Sequence, residues 1–305
     1  MAVRRWFPRL ALALVILLPH PSAAVHPPAA QADRTCDEST GQIVQDSVDS
    51  SVYQGIVPIA VYLPPCYDVD LPRLPVMYLL HGGGGNQDEW AGLDLASAAD
   101  ALIASGTPPF MAVMPGGEYL VAVSYEDFIM RDLLPYIACR YRARTDTSGR
   151  TIGGVSLGGY WALRTALDHP NLFVVVGGHS PVVDRGSTDD PIGQASRTSP
   201  RDQLTVRLDA GTEDSLYSDT ALMARILQQH GVSATFTSSP GGHDDAYWRA
   251  HTAEYVRGYV SSFGQSAQSG IQQLAWSAWA GGQGPWQPDQ CPMQPWPVSA
   301  LGSAR

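Results

Sequence analysis

A serine, an aspartate and a histidine stand in this chain at positions that together could carry out nucleophilic chemistry. Ser156 is the centre of a Gly-x-Ser-x-Gly pattern at residues 154–158. An apolar run precedes the pattern and an amphipathic run follows it, so we expect the serine on a sharp turn between a strand and a helix. Such a turn exposes the hydroxyl, and its flanking glycines avoid collisions with neighbouring backbone. In a chain with 30 glycines the pattern also fits a plain turn, so the prediction depends on suitable partners.

A serine nucleophile needs a general base, and His243 is the best-placed histidine. It follows a predicted strand, 234–238, in a Pro-Gly-Gly-His-Asp turn, and it precedes the last predicted helix. His169 and His230 lie at predicted helix C-termini, where a cation is favoured for structural reasons. We therefore predict His243 as the base.

The acid that orients the base is expected between the serine and the histidine in chain order. The predicted strand 204–209 runs into a loop that contains Glu213 and Asp214. Asp209 is expected at the strand end, with its side chain in the sheet or capping the turn. Asp214 lies further into the loop, where it could reach His243. We predict Asp214 as the acid and keep Glu213 as the alternative.

Backbone amides for a developing oxyanion are expected from Leu157 and Gly83. Leu157 follows the serine, and Gly83 belongs to the run His81-Gly-Gly-Gly-Gly after the apolar segment 74–80. Glycines there would let the backbone approach a substrate carbonyl closely. We expect His81 to be a structural hydrogen-bonding residue below the site.

Strand-like and helical runs alternate through most of the chain. We predict strands at 57–63, 74–80, 110–114, 151–153, 173–177, 204–209 and 234–238, and helices at 93–105, 125–140, 160–167, 219–230 and 247–263. This alternation predicts the α/β class, with a mainly parallel central sheet and helices on both faces. The polar stretch 184–203 is expected to be a surface excursion.

The two ends of the chain differ in composition from its middle. Arg4 and Arg5 precede an apolar run at 10–18, which is shorter than the ~20 residues that span a bilayer. We therefore predict a secretory signal peptide at 1–32, with cleavage after Ala24 or Ala32, and no membrane anchor. A catalytic domain is expected at 33–263. The extension 264–305 is rich in Trp, Pro and Gly, and we expect it to pack on that domain, with carbohydrate binding as the alternative.

Charge and cysteine usage restrict the partners. The net charge is −10, and loss of the predicted leader would remove three arginines and no acid. An acidic chain argues against nucleic acid or anionic membrane partners. Four cysteines in an exported chain predict two disulfides, of which we favour Cys36–Cys66 and Cys139–Cys291 among three possible pairings. No CxxC occurs and Cys66 and Cys139 lie in unrelated contexts, so a metal site is not expected, and the sequence does not reveal an oligomeric state.

Five segments resemble one known family, in order and over roughly 57–263. They are 61–68, 78–84 with Trp90, 153–159, 211–214, and 241–244 with Trp248. In these segments the chain resembles the putative esterase family of α/β-hydrolases, which includes esterase D-like enzymes, feruloyl esterases and antigen 85 mycolyltransferases. The resemblance implies the α/β-hydrolase fold. It also implies the nucleophile Ser156, the acid Asp214, the base His243, and oxyanion amides at Gly83 and Leu157.

Departures from the family pattern favour its esterase side. Many relatives carry a larger residue at the position of Gly83. The glycine in this chain would therefore widen the acyl pocket. The mycolyltransferase branch typically has Glu in place of Asp214 and Asp in place of His81. We thus expect a secreted serine carboxylesterase acting on a small-molecule or carbohydrate-linked ester without a cofactor. The alternatives are an acyltransferase with a sugar hydroxyl as acceptor and a non-catalytic binding module.

Aromatic residues near the predicted site leave the substrate open. They could line an aromatic acyl pocket or belong to the core, and they are Trp90, Tyr119, Tyr125, Trp161, Tyr247 and Trp248.

Overall fold

The computed structural model describes residues 37–67, 73–118, 125–197 and 204–263. The chain divides into two units, Met1–Thr35 and Cys36–Arg305, and all described residues belong to the second. The predicted leader and the predicted C-terminal extension both lie outside the described residues, so the domain boundaries stay predictions.

A single sheet runs through the described part of the chain. Its strands are β1 (Gln42–Ser50), β2 (Gly55–Leu63), β3 (Val76–Leu80), β4 (Met111–Pro115), β5 (Arg150–Val155), β6 (Val175–His179), β7 (Thr205–Gly211) and β8 (Ser233–Ser239). The spatial order is β1-β2-β4-β3-β5-β6-β7-β8. Strand β2 runs antiparallel to both of its neighbours, β1 and β4, and strands β3 to β8 run parallel to one another.

Helices cover both faces of the sheet. They are α1 (Glu89–Gly92), α2 (Leu95–Ala104), α3 (Tyr125–Phe128), α4 (Leu134–Arg140), α5 (Leu157–Asp168), α6 (Pro191–Ala195), α7 (Tyr217–Gln229) and α8 (Asp245–Val260). One buried cluster joins the sheet to α3–α7, and a second joins the opposite face to α1, α2 and α8. The strands that are buried on both faces are the apolar runs seen in the sequence. The predicted α/β class and mainly parallel sheet are confirmed.

Several element boundaries differ from the sequence prediction. The expected helix 93–105 is observed as α2, which begins only at Leu95 because the preceding residue, Asp94, adopts a left-handed conformation with φ of 64° and separates it from α1. The expected helix 125–140 contains a π-helical turn at Ile129–Leu133. Strand β6 ends at His179, two residues later than predicted. The polar stretch 184–203 is partly internal, since it contains α6 and the fully buried Asp190.

The buried carboxylate of Asp190 is fully hydrogen-bonded by its own loop and by α5. Its carboxylate accepts hydrogen bonds from the amides of Arg185 and Ser187 and from the hydroxyl of Tyr160. Burial alone would raise the pKa of Asp190, but these hydrogen bonds outweigh it and lower the pKa. Residues 184–189 are exposed, as expected of a surface excursion, and the loop is anchored by the buried Asp190.

None of the helices in the described ranges combines the length and the apolar character needed to cross a bilayer.

Candidate active site

Ser156 lies on the turn between β5 and α5 in a conformation that residues other than glycine rarely adopt. Its φ is 51° and its ψ is −115°. The flanking glycines are required by space: a Cβ at Gly154 would lie 2.4 Å from the carbonyl carbon of Gly158. A Cβ at Gly158 would lie 2.4 Å from the carbonyl oxygen of Leu80 at the end of β3. The helix therefore packs closely against the sheet and leaves the serine at the strand end.

His243 lies between Ser156 and Asp214. Its Nε2 is 2.8 Å from Ser156 Oγ, and its Nδ1 is 2.9 Å from Asp214 Oδ2. The imidazole also packs edge-on against the indole of Trp248, with ring centroids 5.1 Å apart. The side chain of Asp214 is fully buried, whereas that of His243 is 32% exposed. The structure thus brings together the three side chains that the sequence singled out.

The neighbouring carboxylates have different surroundings. Asp214 Oδ1 accepts a hydrogen bond of 2.8 Å from the amide of Leu216, which leaves Oδ2 for His243. Glu213 is exposed. Asp209 lies within β7, which continues to Gly211 and so ends two residues later than predicted, and it contacts a different histidine, His179.

The loop after β3 lies beside Ser156. A Cβ at Gly82 would be 3.7 Å from Ser156 Cβ, and one at Gly83 would be 3.7 Å from Leu157 Cδ2. The amide of Gly82 donates to Glu89 Oε1 at 2.9 Å, so it is engaged elsewhere. Burial raises the pKa of Glu89 above its ordinary value. The Gly83 position has room for a Cβ, because no atom would lie closer to it than 3.7 Å; the wider acyl pocket expected there stays a prediction.

His81 is buried beneath this loop. Its Nδ1 lies 2.7 Å from the carbonyl oxygen of Gly82, and its Nε2 lies 3.0 Å from that of Gly117. Both contacts are to main-chain carbonyl groups, which agrees with the expected structural role.

The aromatic residues near the site belong mainly to the core. Those that the structure describes are 8% exposed or less, and they are Trp90, Tyr125, Trp161, Tyr247 and Trp248. Tyr119 lies outside the described residues. The interpretation as an open aromatic wall is therefore not supported by their burial.

The described part of the chain holds neither a cluster of metal-ligating side chains nor a free thiol. Across the described ranges, no group of three His, Cys, Asp or Glu side chains could hold a metal ion. Neither Cys66 nor Cys139 is a free thiol. Because Cys36 and Cys291 lie outside the described residues, the pairing stays a prediction.

A second histidine–aspartate pair, His179 with Asp209, was missed in the sequence. Nδ1 of His179 lies 2.6 Å from Asp209 Oδ1, and both residues are buried. The two residues are paired in register on adjacent strands β6 and β7. Because β6 was predicted to end at residue 177, His179 was not expected to lie on a strand next to Asp209.

The Ser156–His243–Asp214 arrangement can transfer a proton away from a hydroxyl. The carboxylate accepts from Nδ1–H, which leaves Nε2 as an acceptor for the serine proton. A hydroxyl deprotonated in this way attacks electrophilic carbonyl carbon. With a mainly parallel sheet and helices on both faces, the fold and the site define an α/β-hydrolase.

Comparison with known proteins identifies the family. The family model described as "Putative esterase" matches residues 50–259, and the chain belongs to that family. A solved ferulic acid esterase superposes with a TM-score of 0.67 at 24% identity, over 73% of this chain and 99% of that one. The family resemblance and the α/β-hydrolase fold predicted from the sequence are confirmed.

Two curated relatives are similar over a shorter part. An esterase of Mycobacterium tuberculosis is 32% identical over 133 residues, covering 40% of this chain and 28% of the relative. An endo-1,4-β-xylanase/feruloyl esterase of Xylanibacter ruminicola is also 32% identical over 133 residues, covering 37% of this chain and 18% of the relative. The match thus spans less than a third of each relative. Both relatives are named as esterases.

Proposed function

We propose that this chain is a secreted serine carboxylesterase with Ser156 as nucleophile, His243 as general base and Asp214 as the orienting acid. The observation that carries the proposal is the continuous chain of hydrogen bonds, 2.8 Å from Ser156 Oγ to His243 Nε2 and 2.9 Å from His243 Nδ1 to Asp214 Oδ2. Membership in the putative esterase family supports the same chemistry.

Acylation begins when Ser156 Oγ attacks the ester carbonyl carbon and His243 Nε2 accepts the hydroxyl proton. The carbonyl oxygen becomes an oxyanion, which the amides of Gly83 and Leu157 stabilise by hydrogen bonds. The tetrahedral intermediate then collapses. The bond to the leaving oxygen breaks, that oxygen takes the proton from His243, and an acyl-enzyme remains.

Deacylation repeats these steps with water. A water molecule gives a proton to His243 and attacks the acyl carbon. The carbon–Oγ bond then breaks, and Oγ recovers the proton. Asp214 stabilises the imidazolium in both halves because its buried carboxylate accepts from Nδ1–H throughout.

The substrate is proposed as a small-molecule or carbohydrate-linked ester. The names of the ferulic acid esterase and of the Xylanibacter ruminicola relative support an aromatic acyl group as one candidate.

Hydrolysis of p-nitrophenyl esters from acetate to octanoate, with methyl ferulate added to the panel, tests the proposal. Ser156→Ala is expected to lower kcat by a factor on the order of 10⁴ or more, because the three side chains act as a unit. The exposed Ser218→Ala variant on α7 is the matched control and should retain full activity. Absence of hydrolysis by the unmodified chain, or full activity in Ser156→Ala, would overturn the proposal.

Export is proposed through the leader at 1–32. The protein recovered from the medium should begin at residue 25 or residue 33, as read by N-terminal sequencing. Recovery of the protein only inside the cell, with Met1 retained, would contradict export.

A further inference from the structure

A buried polar cluster lies beneath the candidate active site. Nδ1 of His179 lies 2.6 Å from Asp209 Oδ1, and its Nε2 lies 2.9 Å from the hydroxyl of Tyr259. The other carboxylate oxygen, Asp209 Oδ2, accepts from the hydroxyls of Tyr255 at 2.7 Å and Tyr247 at 3.2 Å. A carboxylate only accepts, so Nδ1–H donates to Asp209, and Nε2 forms the hydrogen bond with the Tyr259 hydroxyl. Every polar atom of both side chains is therefore engaged.

The imidazole of His179 is also fixed by packing. The ring of Tyr255 stacks on it, with centroids 3.5 Å apart and planes at 20°. The indole of Trp90 packs edge-on against the same imidazole, with ring centroids 6.0 Å apart. A side chain held by two hydrogen bonds and a stacked ring has one available rotamer.

The sheet is shaped to admit the phenol of Tyr259. Gly153 of β5 and Gly177 of β6 are directly paired. A Cβ at Gly153 would lie 1.7 Å from the Tyr259 hydroxyl oxygen, and one at Gly177 would lie 1.9 Å from it. Glycine within a strand weakens it, and it is often found where another group approaches closely. The two glycines thus create the space through which α8 reaches His179.

The same cluster supports the backbone at Ser156. The amide of Ser156 donates to the carbonyl oxygen of His179 at 2.9 Å. One strand further, the amide of Ser180 donates to the carbonyl oxygen of Asp209 at 2.8 Å. Ser156 and Ser180 both have positive φ, 51° and 49°. Such backbone strain persists only where the surroundings fix it. Here the amides of the two strained serines are held by the carbonyl groups of His179 and Asp209.

We infer that His179 is a positioning residue that holds Ser156 in its reactive conformation, because the ring clamped by Asp209, Tyr255 and Tyr259 fixes the carbonyl group that accepts the Ser156 amide. This inference rests on the proposed function of Ser156. His179 does not touch substrate in this account and acts only through the backbone of the nucleophile.

The test compares kcat, KM and the rate at which a fluorophosphonate probe modifies Ser156. His179→Leu removes both ring hydrogen bonds, and kcat and the labelling rate are expected to fall by about 10- to 100-fold, the scale reported for small misplacements of reacting groups. KM should stay within about twofold, since uniform binding is untouched. His179→Asn, whose amide can still donate to Asp209, should recover most of the loss.

Controls separate positioning from general destabilisation. Ile137→Ala empties a fully buried site on α4, away from the cluster, and should lower the Tm without lowering kcat. If His179→Leu fails to fold, Tyr259→Phe, which removes only one hydroxyl, should still lower kcat by about 3- to 10-fold, a smaller misplacement of the same kind.

Unchanged kcat in His179→Leu, or in Tyr259→Phe where His179→Leu does not fold, would overturn the inference, as would an equal loss in Ile137→Ala. The Ser156→Ala variant distinguishes failure of the proposed function from failure of the positioning role of His179. If it keeps full activity, the proposed function fails. If it is inactive while His179→Leu and Tyr259→Phe turn over normally, only the positioning role fails.

Discussion

At the residue scale, two carboxylates adjacent in sequence differ in what they can do for His243. The Asp214 side chain is fully buried and shares its two oxygens between His243 and the amide of Leu216. Glu213 is exposed, and its amide donates to the carbonyl oxygen of Gly241. Only Asp214 of the pair is therefore placed to stabilise an imidazolium at His243.

Asp214→Asn is expected to lower kcat by about 10⁴-fold, because an amide in place of the carboxylate favours the wrong imidazole tautomer. Glu213→Gln should stay within about twofold of the unmodified chain, as surface changes usually do. Both are measured as kcat on p-nitrophenyl acetate. The reverse ranking would move the acid to Glu213.

Glu89 gives a residue-scale prediction on pH. Burial raises its pKa in the folded protein, while the unfolded chain titrates at the ordinary value. Between these two pKa values the folded state binds more protons, so the free energy of unfolding falls as the pH rises. Glu89→Gln lacks this titration. Urea denaturation should show the stability of the unmodified chain, relative to Glu89→Gln, declining as the pH rises through this window; a rising difference would contradict the assignment.

At the element scale, the position of Ser156 depends on how closely α5 approaches the sheet. The first turn of α5 contacts the carbonyl groups at the end of β3, and Gly158 has no room for a Cβ there. These contacts are with backbone, which cannot rotate away as a flexible side chain can.

Gly158→Ala is expected to lower the free energy of unfolding by about 3 kcal/mol or more, through overpacking against backbone. Gly92→Ala on α1 is the control, because nothing lies within 4 Å of its Cβ position, and it should be neutral or stabilising by up to ~1 kcal/mol. Urea denaturation of both variants measures the difference. Equal stability of the two would show that the close approach is not required.

The elements could be predicted from the sequence where local pattern decides them. Apolar runs located β3 and β5, and the Gly-x-Ser-x-Gly pattern located the turn at Ser156. The left-handed residue Asp94 and the π-helical turn carry no comparable local signal. The pairing of His179 with Asp209 joins residues 30 positions apart and depends on strand order, which periodicity does not contain. Burial of Asp190 was missed because its partners are two backbone amides of its own loop and the hydroxyl of Tyr160, 30 positions away in the chain.

At the scale of the whole molecule, parallel topology brings distant segments to one edge of the sheet. Ser156, Asp214 and His243 follow the carboxyl ends of β5, β7 and β8, and Gly83 follows β3. In such sheets the carboxyl ends of parallel strands lie at the same edge, where ligands bind. Four loops separated by up to 160 positions therefore form one site.

Disulfides provide a prediction at this scale. Neither of the two cysteines that the structure describes, Cys66 and Cys139, is a free thiol, and we expect Cys36–Cys66 and Cys139–Cys291. Mass spectrometry of an unreduced digest should yield these two cross-linked peptides. Reduction should lower the Tm, because each bond restricts the unfolded chain. A peptide that joins Cys66 to Cys139 would contradict the pairing.

The most direct test of the central claim is the location of the covalent adduct after reaction with a fluorophosphonate, which modifies an activated serine. Peptide mass spectrometry should place a single adduct on Ser156, and none should form in Ser156→Ala or after denaturation. An adduct on another residue, or none in a preparation that hydrolyses esters, would show that Ser156 is not the nucleophile.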